Sequence, residues 1–346
     1  MTTTSALLAS APGAALELAQ IERRDLRPDD VSVRVTHSGV CFTDLHRLAS
    51  PDSRMFPLVP GHEFVGVVSA VGAAVTKFRV GDAVAIGNIV DSCGECKWCL
   101  RGQESWCEEI PTQTYSGEDR HDGTRTFGGF SGEYVARDRF VYHRPTTLDP
   151  AGVAPLLCAG ITVWDPLRAE EAGPGTRVGV AGIGGLGHLA VRLAAALGAE
   201  VTAFTTSQSK AADAKRLGAT HVVVSSDAHA MAAAAETLDV LIDTIGFEHD
   251  LTPYVRALDV HGVLYPVGYL GPLSIDSMSL LVGRKRLSSS GGGGVDRVAE
   301  LLEFCGRHEI TADVEVVPAA DAMTALSRLT ANDVRYRFVL DTSALA

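Results

Sequence analysis

The run Asp91-Ser92-Cys93-Gly94-Glu95-Cys96-Lys97-Trp98-Cys99, continuing through Leu100 to Trp106 and closing on Cys107, sets the tightest limit on how this chain can fold. Its thiols follow the pattern Cys-x2-Cys-x2-Cys-x7-Cys. Four thiolates on one short lobe can close a tetrahedral shell around Zn²⁺ with no open position, which makes such a site structural. Binding a metal through four deprotonated ligands couples it directly to folding. An iron–sulfur cluster, a redox pair and a zinc ribbon for DNA are the competing readings. The cysteine triplet partly matches ferredoxin spacing, but no Pro follows the last Cys. Charge argues against the ribbon: 30 Lys and Arg stand against 42 Asp and Glu, a net charge of −12, whereas phosphate-backbone binding needs a basic footprint.

The other cysteines are Cys41, Cys158 and Cys305, seven in all. An odd count with CxxC spacing reads as metal ligation in a reducing cytosol rather than as a disulfide framework. No apolar run reaches the length of a membrane helix. Residues 1–15 lack the positive leading residues of a signal peptide. The expectation is a cytoplasmic protein without nucleic-acid or membrane partners.

A second concentration of metal-binding side chains lies between Gly39 and Glu63. It opens Gly39-Val40-Cys41-Phe42-Thr43-Asp44-Leu45-His46 and closes Gly61-His62-Glu63. Cys41 and His62 supply two ligand types suited to zinc, and a catalytic site keeps one position open. Cys158, in Leu157-Cys158-Ala159-Gly160, is the candidate third. Taken singly, each thiol or imidazole reads better as an ordinary buried residue, and only their combination with the other motifs favours a metal site. Cys305, at helical spacing with Val298, Leu301 and Leu302, reads as core.

With 346 residues, the chain is long enough for two domains. The first half is rich in β-branched residues and glycine turns, including Val31-Ser32-Val33-Arg34-Val35 and Phe64 to Val75, and reads as strand-rich and barrel-like. The second half alternates strands and helices. Strands are expected at Thr176–Ala181, Glu200–Phe204, His221–Val224, Asp239–Asp243, Val263–Val267 and Arg286–Ser289, and helices at His188–Leu197, Lys210–Leu217 and Ala228–Glu236. This is the pattern of a doubly wound parallel sheet. Gly182-Ile183-Gly184-Gly185-Leu186-Gly187 falls between the first strand and its helix. In that position Gly-x-Gly-x-x-Gly presents a helix N-terminus to a pyrophosphate. The fold class is therefore α/β. Residues 1–157 and 296–346 are expected to form the zinc domain, with the last segment returning to it, and residues 158–295 the dinucleotide-binding domain.

Together these motifs resemble the zinc-dependent medium-chain alcohol dehydrogenases. Gly61-His62-Glu63-x2-Gly66-x5-Gly72-x2-Val75 matches that family's zinc signature, and the four-Cys lobe and nucleotide fingerprint follow in the family's order. Cys41-Phe42-Thr43-Asp44-Leu45-His46, Cys158-Ala159-Gly160-Ile161-Thr162-Val163 and Ala203-Phe204-Thr205-Thr206-Ser207 are similar to the cinnamyl alcohol dehydrogenase branch, especially its broad bacterial aldehyde reductases. The resemblance implies a GroES-like catalytic domain beside a Rossmann domain. It implies two zinc ions per chain: a structural one on Cys93, Cys96, Cys99 and Cys107, and a catalytic one on Cys41, His62 and Cys158. Glu63 would be a nearby carboxylate able to exchange with water on that metal, and Asp44 would orient His62. Gly182, Gly184, Gly185, Leu186 and Gly187 would hold the cofactor. Phe42, Gln113 and Trp164 depart from the branch pattern on the side expected to face substrate.

The implied reaction is reversible aldehyde reduction, with Thr43 donating a proton to the alkoxide and His46 completing a relay to solvent. Glu200-Val201-Thr202-Ala203-Phe204 runs into Thr205-Thr206-Ser207 with no acid for a ribose 2′-hydroxyl. Those hydroxyls and Lys210 suit a 2′-phosphate, so NADP(H) is the expected cofactor. The same residues can instead cap the following helix. A zinc polyol dehydrogenase using NAD would want the missing acid. A non-enzymatic zinc protein with a nucleotide sensor is disfavoured by the net charge and by the separate Cys41–His62 site. A homodimer is expected, paired through the edge at Arg286–Ser289.

Overall fold

The computed structural model describes residues 2–268 and 271–346. It divides into two compact units, Met1–Cys158 with Gly293–Ala346, and Ala159–Gly292. The expected boundaries shift by a few residues at each crossing. Cys158 moves to the first unit because its sulfur packs 3.9 Å from that of Cys41.

In the first unit, valine-rich strands close a sheet whose buried face is built from Val31, Val33, Val35, Phe64, Val68, Val84 and Ile86. The sheet runs in the order Val314–Pro318, Arg337–Asp341, Asp30–Val40, Phe64–Val71, Ala83–Ile86, Val141–His143, and Glu133–Arg137 also pairs with Asp30–Val40. All its pairings are antiparallel except the one between Val314–Pro318 and Arg337–Asp341. The C-terminal segment thus returns to this unit as strands beside Asp30–Val40. The N-terminal stretch, for which no element was expected, forms the strand Thr2–Leu8, which pairs antiparallel with Glu17–Arg23. The Ala11-Pro12-Gly13 break is the turn of that hairpin, and Gly13 has φ of +71°.

In the second unit the strands Arg177–Ala181, Glu200–Thr205, His221–Val224, Leu238–Asp243, Leu258–Pro266 and Arg286–Leu287 form one parallel sheet. The first strand lies at its centre, flanked by the second and the fourth. Strand order reverses there, and that is where doubly wound sheets bind ligands. The fifth strand is longer than expected from sequence. The helices are shorter: Ala211–Arg216 follows a 3₁₀ turn at Gln208–Lys210, and Ala228–Ala233 ends early. Glu236, at φ +58°, lies beyond the end of that last helix. Among the described residues no helix is long and apolar enough to cross a membrane.

Candidate metal centres and active site

Both proposed ligand sets are assembled within the first unit. Cys93, Cys96, Cys99 and Cys107 place their sulfurs within 4.8 Å of one another. The lobe turns its backbone toward them: Cys96 N donates to Cys93 Sγ at 3.3 Å, Cys99 N to Cys96 Sγ at 3.5 Å and Cys93 N to Cys107 Sγ at 3.4 Å. Backbone N–H groups of Cys99 and Glu108 pull the Cys96 thiol down to about 6, while burial pushes the Cys99 thiol up to about 12. Donors aimed at sulfur favour thiolate, the form a metal needs, so this lobe fits zinc.

The lobe also holds the start of a distant helix. Glu104 is buried, accepts from Val295 N at 2.9 Å and pairs with Arg139. Ser105 Oγ donates to Gly293 O at 2.8 Å. Gly294 lies so close to the lobe that an added Cβ would meet Gly102 O at 1.7 Å. The Gly291–Gly294 run is therefore pinned at its end before the helix Val295–His308.

Cys41, His62 and Cys158 form the second set, with their donor atoms likewise within 4.8 Å of one another. Three segments deliver them. Cys41 ends the strand Asp30–Val40 and starts the helix Phe42–Leu48, His62 precedes the strand Phe64–Val71, and Cys158 follows the 3₁₀ turn Ala154–Leu157. His62 Nδ1 faces Asp44 Oδ1 at 3.2 Å, which leaves Nε2 3.2 Å from Cys158 Sγ. Burial lowers the pKa of the His62 ring, but the Asp44 and Cys41 charges outweigh it and hold the ring well above its ordinary value. Two thiols and one imidazole nitrogen converging from separate segments suit a zinc that keeps a position for substrate.

Asp44 is fully buried beneath these donors. Its Oδ2 accepts from Cys41 N at 2.9 Å, and its Oδ1 from Gly61 N at 3.2 Å and from the Tyr115 hydroxyl at 2.8 Å. The expectation that Asp44 orients His62 matches this geometry. Glu63 lies outside the donor cluster. Its Oε1 accepts from buried Arg337, and its Oε2 has no hydrogen-bond partner. Burial raises the Glu63 carboxyl to about 7 against the opposing Arg337 charge. Neither Arg337 nor Tyr115 was singled out in the sequence.

Thr43 and His46 are exposed residues of the helix Phe42–Leu48. Three residues apart, they share a helix face. Thr43 Oγ1 lies 3.6 Å from Cys41 Sγ, and the Phe42 and His46 rings are 6.2 Å apart. Phe42, beside the metal ligand, is 51% exposed. Gln113 accepts from Arg47 at 3.5 Å. Trp164 is 1% exposed, and the Arg168 guanidinium lies 5.7 Å from its ring centroid.

In the second unit the glycine-rich turn follows the central strand. Gly182 has φ of +83°, and a Cβ on Gly187 would meet Gly182 O at 1.8 Å, so glycine is required at both. An added Cβ on Gly184 would meet nothing within 4 Å, so its backbone is open to a ligand. Gly185 and Leu186 complete the turn before the helix Gly187–Ala196. At the end of the next strand, Thr205 is 4% exposed. Thr206 and Lys210 are exposed, Ser207 is half-buried, and Ser207 Oγ lies 2.9 Å from Ser209 Oγ. Thr206 is thus the exposed residue of the three, Ser207 is half-buried beside Ser209, and Thr205 is buried behind them. Hydroxyls and an ammonium at this strand end fit a phosphorylated ribose.

Residues 27–146 match the family described as "Alcohol dehydrogenase GroES-like domain" and residues 185–307 the family "Zinc-binding dehydrogenase". The chain is 42% identical over 344 residues to "Probable formaldehyde dehydrogenase AdhA" of Bacillus subtilis, covering 99% of this chain and 98% of the relative. It is 40% identical over 348 residues to "NADP-dependent alcohol dehydrogenase C 1" of Mycolicibacterium smegmatis, covering 100% and 99%. The solved cinnamyl alcohol dehydrogenase SbCAD4 of Sorghum bicolor superposes with a TM-score of 0.94 at 41% identity, covering 100% of this chain and 99% of that one. With both halves matched in order and the similarity running end to end, the chain belongs to the zinc-binding, medium-chain alcohol dehydrogenases, close in structure to the cinnamyl alcohol dehydrogenases.

Proposed function

We propose that this protein interconverts aldehydes and primary alcohols by hydride transfer with NADP(H), carrying one catalytic and one structural zinc per chain. The observation that carries this reading is the convergence of Cys41, His62 and Cys158 beside the exposed hydroxyl of Thr43. Zinc held by those three residues would supply Lewis-acid polarisation of a carbonyl oxygen, as NADP(H) would supply the hydride. Asp44 fixes the His62 ring so that Nε2 is the ligating nitrogen. The Thr43 hydroxyl gives a proton to the substrate oxygen, and His46, on the same helix face, passes its replacement from solvent. Phe42 offers an apolar wall for the substrate's carbon chain. Glu63, held by Arg337, keeps a carboxylate in reserve near the thiols.

On the second unit, the turn at Gly182, Gly184, Gly185, Leu186 and Gly187 receives the pyrophosphate at the N-terminus of the helix Gly187–Ala196. Thr206, Ser207 and Lys210 take the 2′-phosphate, with Thr205 supporting them from behind. The relatives' names, probable formaldehyde dehydrogenase, NADP-dependent alcohol dehydrogenase and cinnamyl alcohol dehydrogenase, support both the substrate class and the cofactor. The purified protein should oxidise NADPH with aliphatic and aromatic aldehydes and contain two zinc ions per chain. Absence of NADPH turnover across such a panel would sink the proposal.

We further propose a homodimer in a reducing cytoplasm. Seven free cysteines support the compartment. The strand Arg286–Leu287 ends its sheet, and Met278, Leu281, Val282 and Leu287 are exposed on or shortly before it in the chain. An unpaired edge with apolar neighbours suits pairing across a two-fold axis. Sedimentation should give twice the chain mass; a monomer at assay concentration would refute it.

A further inference from the structure

The carboxylate that orients His62 is itself held from a segment that supplies no ligand to the cluster. Asp44 Oδ1 accepts from His62 Nδ1 and from Gly61 N, both at 3.2 Å, while the Tyr115 hydroxyl donates to that same oxygen at 2.8 Å. The Tyr115 bond is the shortest of the three. Cys41 N, Gly61 and His62 all belong to the ligand segments, and Tyr115 does not. It is 3% exposed, and its ring lies 5.8 Å from the His62 imidazole, tilted by 54°. The phenol is therefore both a neighbour of the ligating ring and a donor to the oxygen that aims it.

We propose that Tyr115 is a positioning residue of the Cys41–His62–Cys158 centre, fixing Asp44 and through it the direction of His62 Nε2. This rests on the reading of that cluster as the catalytic zinc site. A carboxylate bound to a ligating imidazole sets the ring's tautomer and orientation, and loss of such an outer partner commonly lowers metal affinity by about 10–100-fold. Tyr115 acts one bond further out, so its effect must travel through Asp44.

The alternative is that Tyr115 only fills space. Tyr115→Phe separates the two, since it keeps the ring and removes the hydroxyl. The holoenzyme would be challenged with a chelator while release of both metals is followed, and its cobalt-substituted form would be examined by visible absorption. In Tyr115→Phe, release from the Cys41–His62–Cys158 centre should quicken about tenfold. The cobalt bands of that centre should shift, and release from the four-Cys lobe should stay as in the wild type. Asp44→Asn should show the same selective loss. Adding Tyr115→Phe to Asp44→Asn should bring little more, because the two residues act in series.

A Tyr115→Phe protein with wild-type release and spectrum overturns the proposal, as does full multiplication of the two effects. Equal acceleration at both centres, or failure of Tyr115→Phe to fold, also overturns it, because the hydroxyl would then serve the fold as a whole. A wild type that binds metal only at the four-Cys lobe would instead overturn the reading of the catalytic site, so the two failures are distinguishable.

Discussion

The two cysteine clusters have similar donor spacing and opposite origins. In the lobe, four sulfurs come from one short stretch, and the peptide N–H groups that face them come from the same stretch. In the other cluster, the sulfurs of Cys41 and Cys158 are 117 residues apart in the chain. The local cluster is a folding element that can gather its donors early. The remote one exists only after the unit around it has formed, so it inherits its geometry from the fold. Metal is thus expected to hold the lobe together, and at the remote site to do chemistry on a frame that stands without it.

The largest expected effect is on the lobe. Structural zinc sites contribute about 10–16 kcal/mol of apparent binding free energy in small zinc-finger peptides, and part of that becomes folding free energy here. Cys96→Ser should give mostly insoluble protein, or lower stability by several kcal/mol, of order 5. Because Glu104 and Ser105 hold the start of the helix Val295–His308, hydrogen exchange in that helix should rise as well. A Cys96→Ser protein with the wild-type denaturant midpoint would erase the contrast between the clusters.

At the remote cluster the contrast predicts lost activity with a retained fold. Cys158→Ser should keep its circular dichroism and four-Cys metal while turnover collapses. Thr43→Ala should slow hydride transfer by about 10²–10⁴-fold, the usual range for a positioned proton donor, and Thr43→Ser should be much milder. His46→Ala should cost less than Thr43→Ala, with a pH-dependent deficit, since water can replace an exposed relay group. Single-turnover rates for the set would expose an unchanged Thr43→Ala, which would remove Thr43 from the reaction.

Legibility in the sequence follows the same divide. The lobe could be read as a metal site from its spacing, with the absent Pro and the acidic balance weighing against its rivals. The glycine-rich turn could be read because it falls between a strand and a helix, and Gly182 and Gly187 stand where only glycine fits. Cys41 and His62 were readable because they share one short stretch. Arg337 and Tyr115 were not, because their bonds to Glu63 and Asp44 span 274 and 71 residues. The strand Thr2–Leu8 was hidden by its Thr, Ser and Ala content, which carries little apolar alternation; it forms because Glu17–Arg23 pairs along its whole length. Thr205 looked equivalent to Thr206 and Ser207, and only the end of the strand reveals that it faces inward.

An intermediate effect is expected at the cofactor end of the second unit, where selectivity depends on exposed side chains rather than on a buried cluster. Lys210→Ala should weaken NADPH by roughly ten- to a hundredfold, the worth of one charge-assisted contact of about 1.5–3 kcal/mol. NADH should be nearly untouched. Since Thr205 is buried, an acid at Ser207 is the cleaner way to shift preference towards NADH, and Ser207→Asp should do so by repelling the 2′-phosphate. Fluorescence titration with both reduced cofactors would test it; equal weakening by Lys210→Ala would misplace the 2′-phosphate.

The smallest effect tests the lobe as a clamp rather than as a metal site. Glu104 meets Val295 N at the first turn of the helix Val295–His308 and Arg139 at its other oxygen. Glu104→Gln keeps an acceptor for the helix N–H and removes the negative charge. It forfeits part of the interaction with the helix dipole, about 0.3–1 kcal/mol at an exposed terminus and up to about 2 where partly buried. The Arg139 pair adds little, because Arg139 is 46% exposed and solvent screens it. The expected loss is therefore about 1 kcal/mol, read as a lower urea midpoint with two metals still bound and turnover unchanged. If Glu104→Gln instead lost the lobe's metal, Glu104 would serve the sulfurs and not the helix. A midpoint identical to wild type would mean that the returning chain is held by the packing of Gly294 against Gly102, where no room remains for a side chain, and that the carboxylate adds nothing to it.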